Sequence, residues 1–226
     1  MNGNNAHFGK DWIQSSYSRL NSTIESRMVV RIAVLASGGG TNLQAIIDFL
    51  VSRKGGTVAE IAVVAANRDT VPALGRARAA SIPVEVFDPS DDGSSLLAAL
   101  RKNDVDLVVL AGYMKKIPPS VIKAYHRRMI NIHPGLLPDF GGPGMYGAKV
   151  HTAVLAAGAK TTGVTVHFVD DEYDHGPTIV EWRIEVRDDD TPESLAARVL
   201  EVEHLVYPRA VEMVASLNTT NFFADF

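Results

Sequence analysis

From Met28 onward, short apolar runs rich in β-branched residues alternate with segments of helical spacing, and this alternation narrows the fold most. The runs are Val29–Ala36, Ile61–Ala66, Val84–Phe87, Leu107–Ala111 and Met129–His133. Between them lie a helix with apolar residues at Leu43, Ile46, Ile47 and Leu50, and three more predicted over Pro72–Ala80, Ser94–Lys102 and Pro118–Tyr125. Strands that are apolar on both faces and alternate with helices imply a parallel sheet covered on both sides, with right-handed crossovers. After His133 the rhythm changes. Pro134–Gly147 is rich in Gly and Pro and reads as a long structured loop, a feature that usually serves function. A helix around Val150–Ala157 follows, then a pair of strands, Val164–Phe168 and Ile179–Val186. Thr191 is an N-cap before Pro192, opening a helix to about Ala215. The expected fold class is α/β: a doubly wound, mostly parallel, Rossmann-like sheet with antiparallel strands near the C-terminus.

The chain has 226 residues and is 46% hydrophobic, enough for one well-filled core. One domain is expected over residues 28–217, with a disordered tail over 1–27 and a short one over 218–226. The first 27 residues are rich in Asn and Ser, and Met28 offers an alternative start. Cysteine is absent, which excludes disulfides, thiolate nucleophiles and cysteine metal sites. A net charge of −4 gives no basic face for nucleic acid or anionic lipid. No apolar run approaches the roughly 20 residues of a membrane helix, and Met1–Lys10 lacks a hydrophobic signal region. These features predict a cytoplasmic protein that binds neither nucleic acid nor membrane.

Four segments could carry chemistry. Ser37-Gly38-Gly39-Gly40-Thr41-Asn42 joins a strand to a helix N-terminus, where backbone N–H groups and the helix dipole favour an anion. Leu43 stands where a dinucleotide fingerprint needs its last glycine, and no Lys completes an ATP-type loop. What remains is a cradle for one phosphate, with Thr41 and Asn42 as side-chain donors, or else a tight turn that binds nothing. Asn131 and His133 share one face of a strand end, where an amide and an imidazole together can polarise a carbonyl and move a proton; the plainer reading is a turn cap before Pro134. Asp170–Asp174, followed by His175-Gly176-Pro177, is a solvated acidic loop, a hard-cation site or a shaped turn able to orient His133. Glu203 lies in the last helix beside the core stripe Leu195, Val199, Val202, Val206 and Ala210, able to reach a polar ligand or simply to face solvent. The seven His show no metal-ligand spacing, and no G-x-S-x-G nucleophile elbow is present.

Taken together, Ala36–Ile46, Leu110-Ala111-Gly112-Tyr113-Met114, Asn131-Ile132-His133-Pro134-Gly135-Leu136-Leu137-Pro138 and Asp174-x-Gly176-Pro177 resemble the phosphoribosylglycinamide formyltransferases of the folate formyltransferase superfamily. The likeness runs from about Arg31 to Ala215. It implies transfer of the formyl group of 10-formyltetrahydrofolate to the amine of N1-(5-phospho-D-ribosyl)glycinamide, in purine biosynthesis. By the same resemblance, Asn131, His133 and Asp174 fall on the catalytic trio. Gly40, Thr41 and Asn42 fall on the substrate phosphate site, and Glu203 on a contact to the ribonucleotide. Met114, Lys115, Lys116, Ile117, Asn131 and Asp170 fall on the folate pocket, with the loop to Asp174. The resemblance implies small-molecule partners, no metal, and a monomer or homodimer. Four positions depart from the family pattern: Gly135 stands in place of Ser, Phe140–Gly147 is longer, His175 replaces a small residue beside Asp174, and only Lys115 or Lys116 could stand in for an Arg near the folate tail. Three other readings compete. A formyltetrahydrofolate deformylase would use the same trio with water as acceptor, but it usually carries an N-terminal regulatory domain. A methionyl-tRNA formyltransferase would need a further C-terminal domain and a basic face. A non-catalytic nucleotide-binding module has no need for the trio.

Overall fold

The computed structural model describes residues 29–53 and 56–219. The expected tail over 1–27 lies outside the described residues, as does most of the short one after 217. Strands β1 (Val30–Leu35), β2 (Ala59–Ala66), β3 (Val84–Val86), β4 (Leu107–Leu110), β5 (Met129–His133), β6 (Thr161–Phe168) and β7 (Thr178–Glu185) form one sheet in the order β3-β2-β1-β4-β5-β6-β7. β1 to β5 are parallel, and β6 and β7 run antiparallel to their neighbours. The sequence-based fold class is therefore the observed one.

The period of two along β1 explains the layering. Ile32 and Val34 point into one core with helices α1 (Thr41–Ser52), α2 (Pro72–Ala79), α5 (Ala148–Ala156) and α6 (Pro192–Thr219). Ala33 and Leu35 point into the other, with α3 (Ser94–Lys102) and α4 (Pro119–Ala124). Both faces of the central strands are thus sealed, as their unbroken apolar runs require. Thr191 caps α6 reciprocally: Ser194 N–H donates to its Oγ1 at 3.2 Å, and Ser194 Oγ accepts from Thr191 N–H at 2.9 Å. The helix runs to Thr219, two residues into the segment expected to be a tail.

β1 has β2 on one side and β4 on the other, so the strand order reverses there. Ligands of open α/β sheets sit at such a switch point, beyond the carboxyl ends of the strands. The loops that leave β1 and β4 meet at this point: Ser37 N–H donates to the Gly112 carbonyl at 3.1 Å, and Met114 N–H to Ser37 Oγ at 3.2 Å. Asn131 and His133 stand at the end of β5, one strand away.

Candidate active site

The glycine loop after β1 is shaped by contact with α2. Gly40 has φ +72°, and a Cβ there would sit 2.7 Å from Ala73 Cβ, so no other residue fits without moving α2. Arg76 braces the loop from α2, its Nε donating to the Gly39 carbonyl at 2.8 Å. The first turn of α1 opens beside Thr41, which lines a cavity of about 340 Å³ with Gln44, Asp48, Arg76 and His204. The loop therefore offers what an anion needs: free helix N–H groups, an exposed hydroxyl and a guanidinium. Arg76 was not a sequence candidate. It sits on the solvent side of α2's period and is brought to the loop only by the fold.

Asn42 does not take the part of a solvent-facing donor. Its side chain turns inward, and Nδ2 donates to Glu203 Oε2 at 2.5 Å across 161 residues of chain. Glu203 is likewise buried, not solvent-facing. Burial pushes its carboxyl pKa up, while the Asn42 hydrogen bond and the nearby His133 pull it down. One turn further along α6, the Tyr207 hydroxyl donates to the Leu110 carbonyl at 2.8 Å and pins the helix to β4.

Antiparallel pairing of β5 with β6 places His167 directly opposite Asn131, and Thr165 opposite His133. The His167 Nδ1 lies 2.8 Å from the Phe168 carbonyl, which can only accept, so Nδ1 carries a proton. In the neutral ring Nε2 then accepts from Asn131 Nδ2 at 3.2 Å, which fixes the amide orientation and leaves its second N–H directed elsewhere.

Asp174 closes the cluster. Its φ of +54° turns the carboxylate back over the sheet end. Oδ2 lies 3.4 Å from His133 Nδ1 and accepts from Gly142 N–H at 3.1 Å, while Oδ1 lies 3.7 Å from His167 Nε2. Burial alone would raise this carboxyl's pKa. The nearby rings of His133 and His167 and the Gly142 N–H outweigh it and hold the group well below the usual carboxylate range. His133 has an acceptor at each ring nitrogen, because Nε2 lies 2.7 Å from the Phe140 carbonyl. A Cβ at Gly135 would stand 3.2 Å from His133 Nε2 and 2.9 Å from Val150 Cγ1, so the glycine at this position makes room for the ring. Behind it on α5, His151 is held toward its neutral form, first by burial and then by the nearby His133.

The sequence placed a second imidazole beside Asp174 at His175. The structure puts His167 there instead. His175 is exposed and pairs with Asp170, Nδ1 to Oδ2, at 2.8 Å. The partnership of His167 with Asn131 follows from strand register, which the local sequence does not reveal.

A cavity of about 450 Å³ joins these groups. Asn131, His133, Asp174 and Glu203 line it, walled by Gly112–Met114 on one side and by Gly142–Gly147 on the other. A smaller cleft of about 50 Å³ adjoins it, with Lys115, Lys116, Ile117, Asn131 and Asp170 in its lining. Met114 opens onto the larger cavity, the other three sequence-assigned residues of its segment onto the smaller. Lys116 Nζ stands 5.9 Å from the centre of the Tyr173 ring, close enough for a weak cation–π contact. The arrangement suits acyl transfer, since amide and imidazole groups converge with a carboxylate on one cavity.

Residues 30–211 match the formyl transferase family model. The chain belongs to the formyl transferase family. Within it, the chain is 34% identical to the phosphoribosylglycinamide formyltransferase of Bacillus subtilis, over 83% of this chain and 96% of that protein. It is 45% identical to the chloroplastic phosphoribosylglycinamide formyltransferase of Vigna unguiculata over 80% of this chain, and it spans 60% of that relative's length. The crystal structure of the phosphoribosylglycinamide formyltransferase from Anaplasma phagocytophilum superposes with a TM-score of 0.75 at 37% identity, covering 83% of this chain and 87% of that one. Among the described residues no helix is long and apolar enough to cross a membrane.

Proposed function

We propose that this protein transfers the formyl group of 10-formyltetrahydrofolate to the amine of N1-(5-phospho-D-ribosyl)glycinamide, as a cytoplasmic enzyme of purine biosynthesis. One observation carries the reading: Asn131, His133 and Asp174 share a cavity with the buried Glu203, and Asn42 ties Glu203 to the mouth of an anion cradle. A phosphate seated at Gly40, Thr41 and Arg76 directs the rest of the acceptor toward Glu203 and the trio. The folate side occupies the larger cavity beside Met114 and reaches toward the adjoining cleft, where Ile117 supplies apolar surface and Lys115 and Lys116 supply charge for an acidic tail.

The folate supplies an activated formyl group; the chain's own residues lower the barrier to its transfer. As the acceptor amine attacks the formyl carbon, negative charge grows on the formyl oxygen. Asn131 donates its second amide N–H to that oxygen. His133 moves its Nε2–H from the Phe140 carbonyl to the same oxygen, while Asp174 keeps Nδ1 and the ring's charge. His167 is a positioning residue: it holds the Asn131 amide and shares Asp174. Glu203 accepts from the attacking amine and orients its lone pair. The proton lost by the amine ends on the departing folate nitrogen, and His133 and Asp174 are placed to relay it.

Three substitutions separate these roles. Arg76→Ala removes the cation beside the cradle and no catalytic contact. Steady-state kinetics should give a KM for the ribonucleotide raised roughly tenfold, as expected for one charged hydrogen bond, with the folate KM unchanged. Equal rises in both values would place the phosphate elsewhere. His175→Ala should leave kcat and its pH profile as they are. His167→Ala should lower kcat about tenfold, the scale of a lost orienting partner. The reverse ranking would return the second imidazole to His175.

A further inference from the structure

Two carboxylates open onto the large cavity, and their surroundings differ. Asp174 accepts from Gly142 N–H and faces the rings of His133 and His167 at 3.4 and 3.7 Å. These neighbours favour its ionised form, which makes it a weak base. Glu203 is 8% exposed, and among the described residues its carboxylate takes one hydrogen bond, from Asn42 Nδ2 to Oε2. Oε1 has no such partner, in a residue that lines the cavity. Burial pushes the pKa of this carboxyl up. The groups that face it are Asn42 from α1, His133 from β5, Tyr207 one turn along α6, and Asp174 across the cavity. His204, next in sequence, lines a different cavity. Of the two carboxylates, Glu203 is the one suited to take up a proton and release it again.

Asn42 is fitted to both protonation states. Its Oδ1 is buried with no hydrogen-bond partner among the described residues. An ionised Glu203 takes the amide N–H, whereas a protonated Glu203 has become a donor and needs an acceptor. Half a turn of the Asn42 amide brings Oδ1 to it. One amide atom is left over in either orientation, so the carboxyl keeps one hydrogen bond in each state and neither state carries the penalty of a lost partner.

We infer, on the transferase reading above, that Glu203 is the general base that takes the first proton from the acceptor's ammonium group. The glycyl amine is an α-amino group with a pKa of about 8, so at neutral pH most of it arrives charged, with no lone pair for attack. One proton passes from the nitrogen to Glu203 Oε1, and the freed electron pair forms the bond to the formyl carbon. The bond from that carbon to the folate nitrogen then breaks. Its electron pair stays on the folate nitrogen, where the second amine proton ends; the third remains in the formamide. Glu203 releases its proton to solvent, so each turnover yields one proton.

Glu203→Gln keeps the size of the side chain and its contact with Asn42 but takes no proton. The parent's kcat/KM for the ribonucleotide should stay level between about pH 9 and 7, because the bound ammonium loses its proton in place. The variant must wait for amine that is already neutral in solution. Its rate follows the neutral fraction, so the ratio of parent to variant should grow about tenfold from pH 9 to pH 7. Asn42→Ala removes the donor that favours the carboxylate and should move the parent's acid limb to higher pH. With Glu203→Gln in place, the same change should move nothing. A ratio constant with pH would overturn the inference and leave Glu203 a binding contact; so would an acid limb indifferent to Asn42. Failure of the transferase reading shows separately, as a parent that makes no formylated ribonucleotide at any pH, and the inference falls with it.

Discussion

Replacing Asp174 with Asn is expected to lower kcat by roughly 10²–10⁴, the usual contribution of positioned acid–base chemistry. The carboxylate oxygen faces His133 Nδ1 at 3.4 Å in a buried setting, where an amide supplies no counter-charge. His133 in turn helps hold the Asp174 carboxyl below its ordinary range. Without the carboxylate the His133 ring loses the partner that orients it toward the formyl oxygen. The substitution is nearly isosteric, and the Gly142 N–H can still donate to the Asn oxygen, so the fold should survive. Asp174's depressed pKa also gives the sign of an acid effect on stability. Its contribution is complete above the ordinary carboxylate value near 3.9 and is lost as pH falls through the lower folded value. The Asn variant should lack that part of acid unfolding, read by melting temperature between pH 5 and 2. A kcat left within a few-fold of the parent would take Asp174 out of the chemistry.

Physical reasons separate the features legible in the sequence from those that were not. The central strands are buried on both faces, so β1, β4 and β5 had to be unbroken apolar runs, and such runs stand out. Asn131 and His133 were legible because a strand's period of two is local. The Gly40 turn was legible because a glycine-rich strand–helix junction has few other uses. His167 was hidden because Val164–Phe168 reads simply as a strand. Only the antiparallel register across 36 residues of sequence sets its ring against Asn131. Asn42 read as a donor to phosphate and Glu203 as a ligand contact or a solvent-facing group, yet Asn42 Nδ2 is spent on the buried Glu203 carboxylate, over a still longer separation. His175 misled through adjacency: the positive φ of Asp174 sends neighbouring side chains to different partners, His133 for one and Asp170 for the other.

The chemistry of the trio is shared by any enzyme that moves a formyl group off folate, so the acceptor decides the account. A transferase must bind a phosphorylated amine and keep water from the formyl carbon until that amine arrives. Gly40, Thr41 and Arg76 offer the phosphate handle, and the Gly142–Gly147 wall encloses the cavity. Hydrogen bonds to a charged group contribute roughly 1.5–3 kcal/mol each, so an acceptor without its phosphate should lose at least 10²-fold in kcat/KM. The direct measurement follows loss of 10-formyltetrahydrofolate and release of formate, with and without N1-(5-phospho-D-ribosyl)glycinamide. The account predicts negligible formate from folate alone, and rapid turnover with stoichiometric formylated ribonucleotide once the acceptor is added. Formate released at the same rate in both reactions, with no formylated ribonucleotide, would contradict it and make water the acceptor.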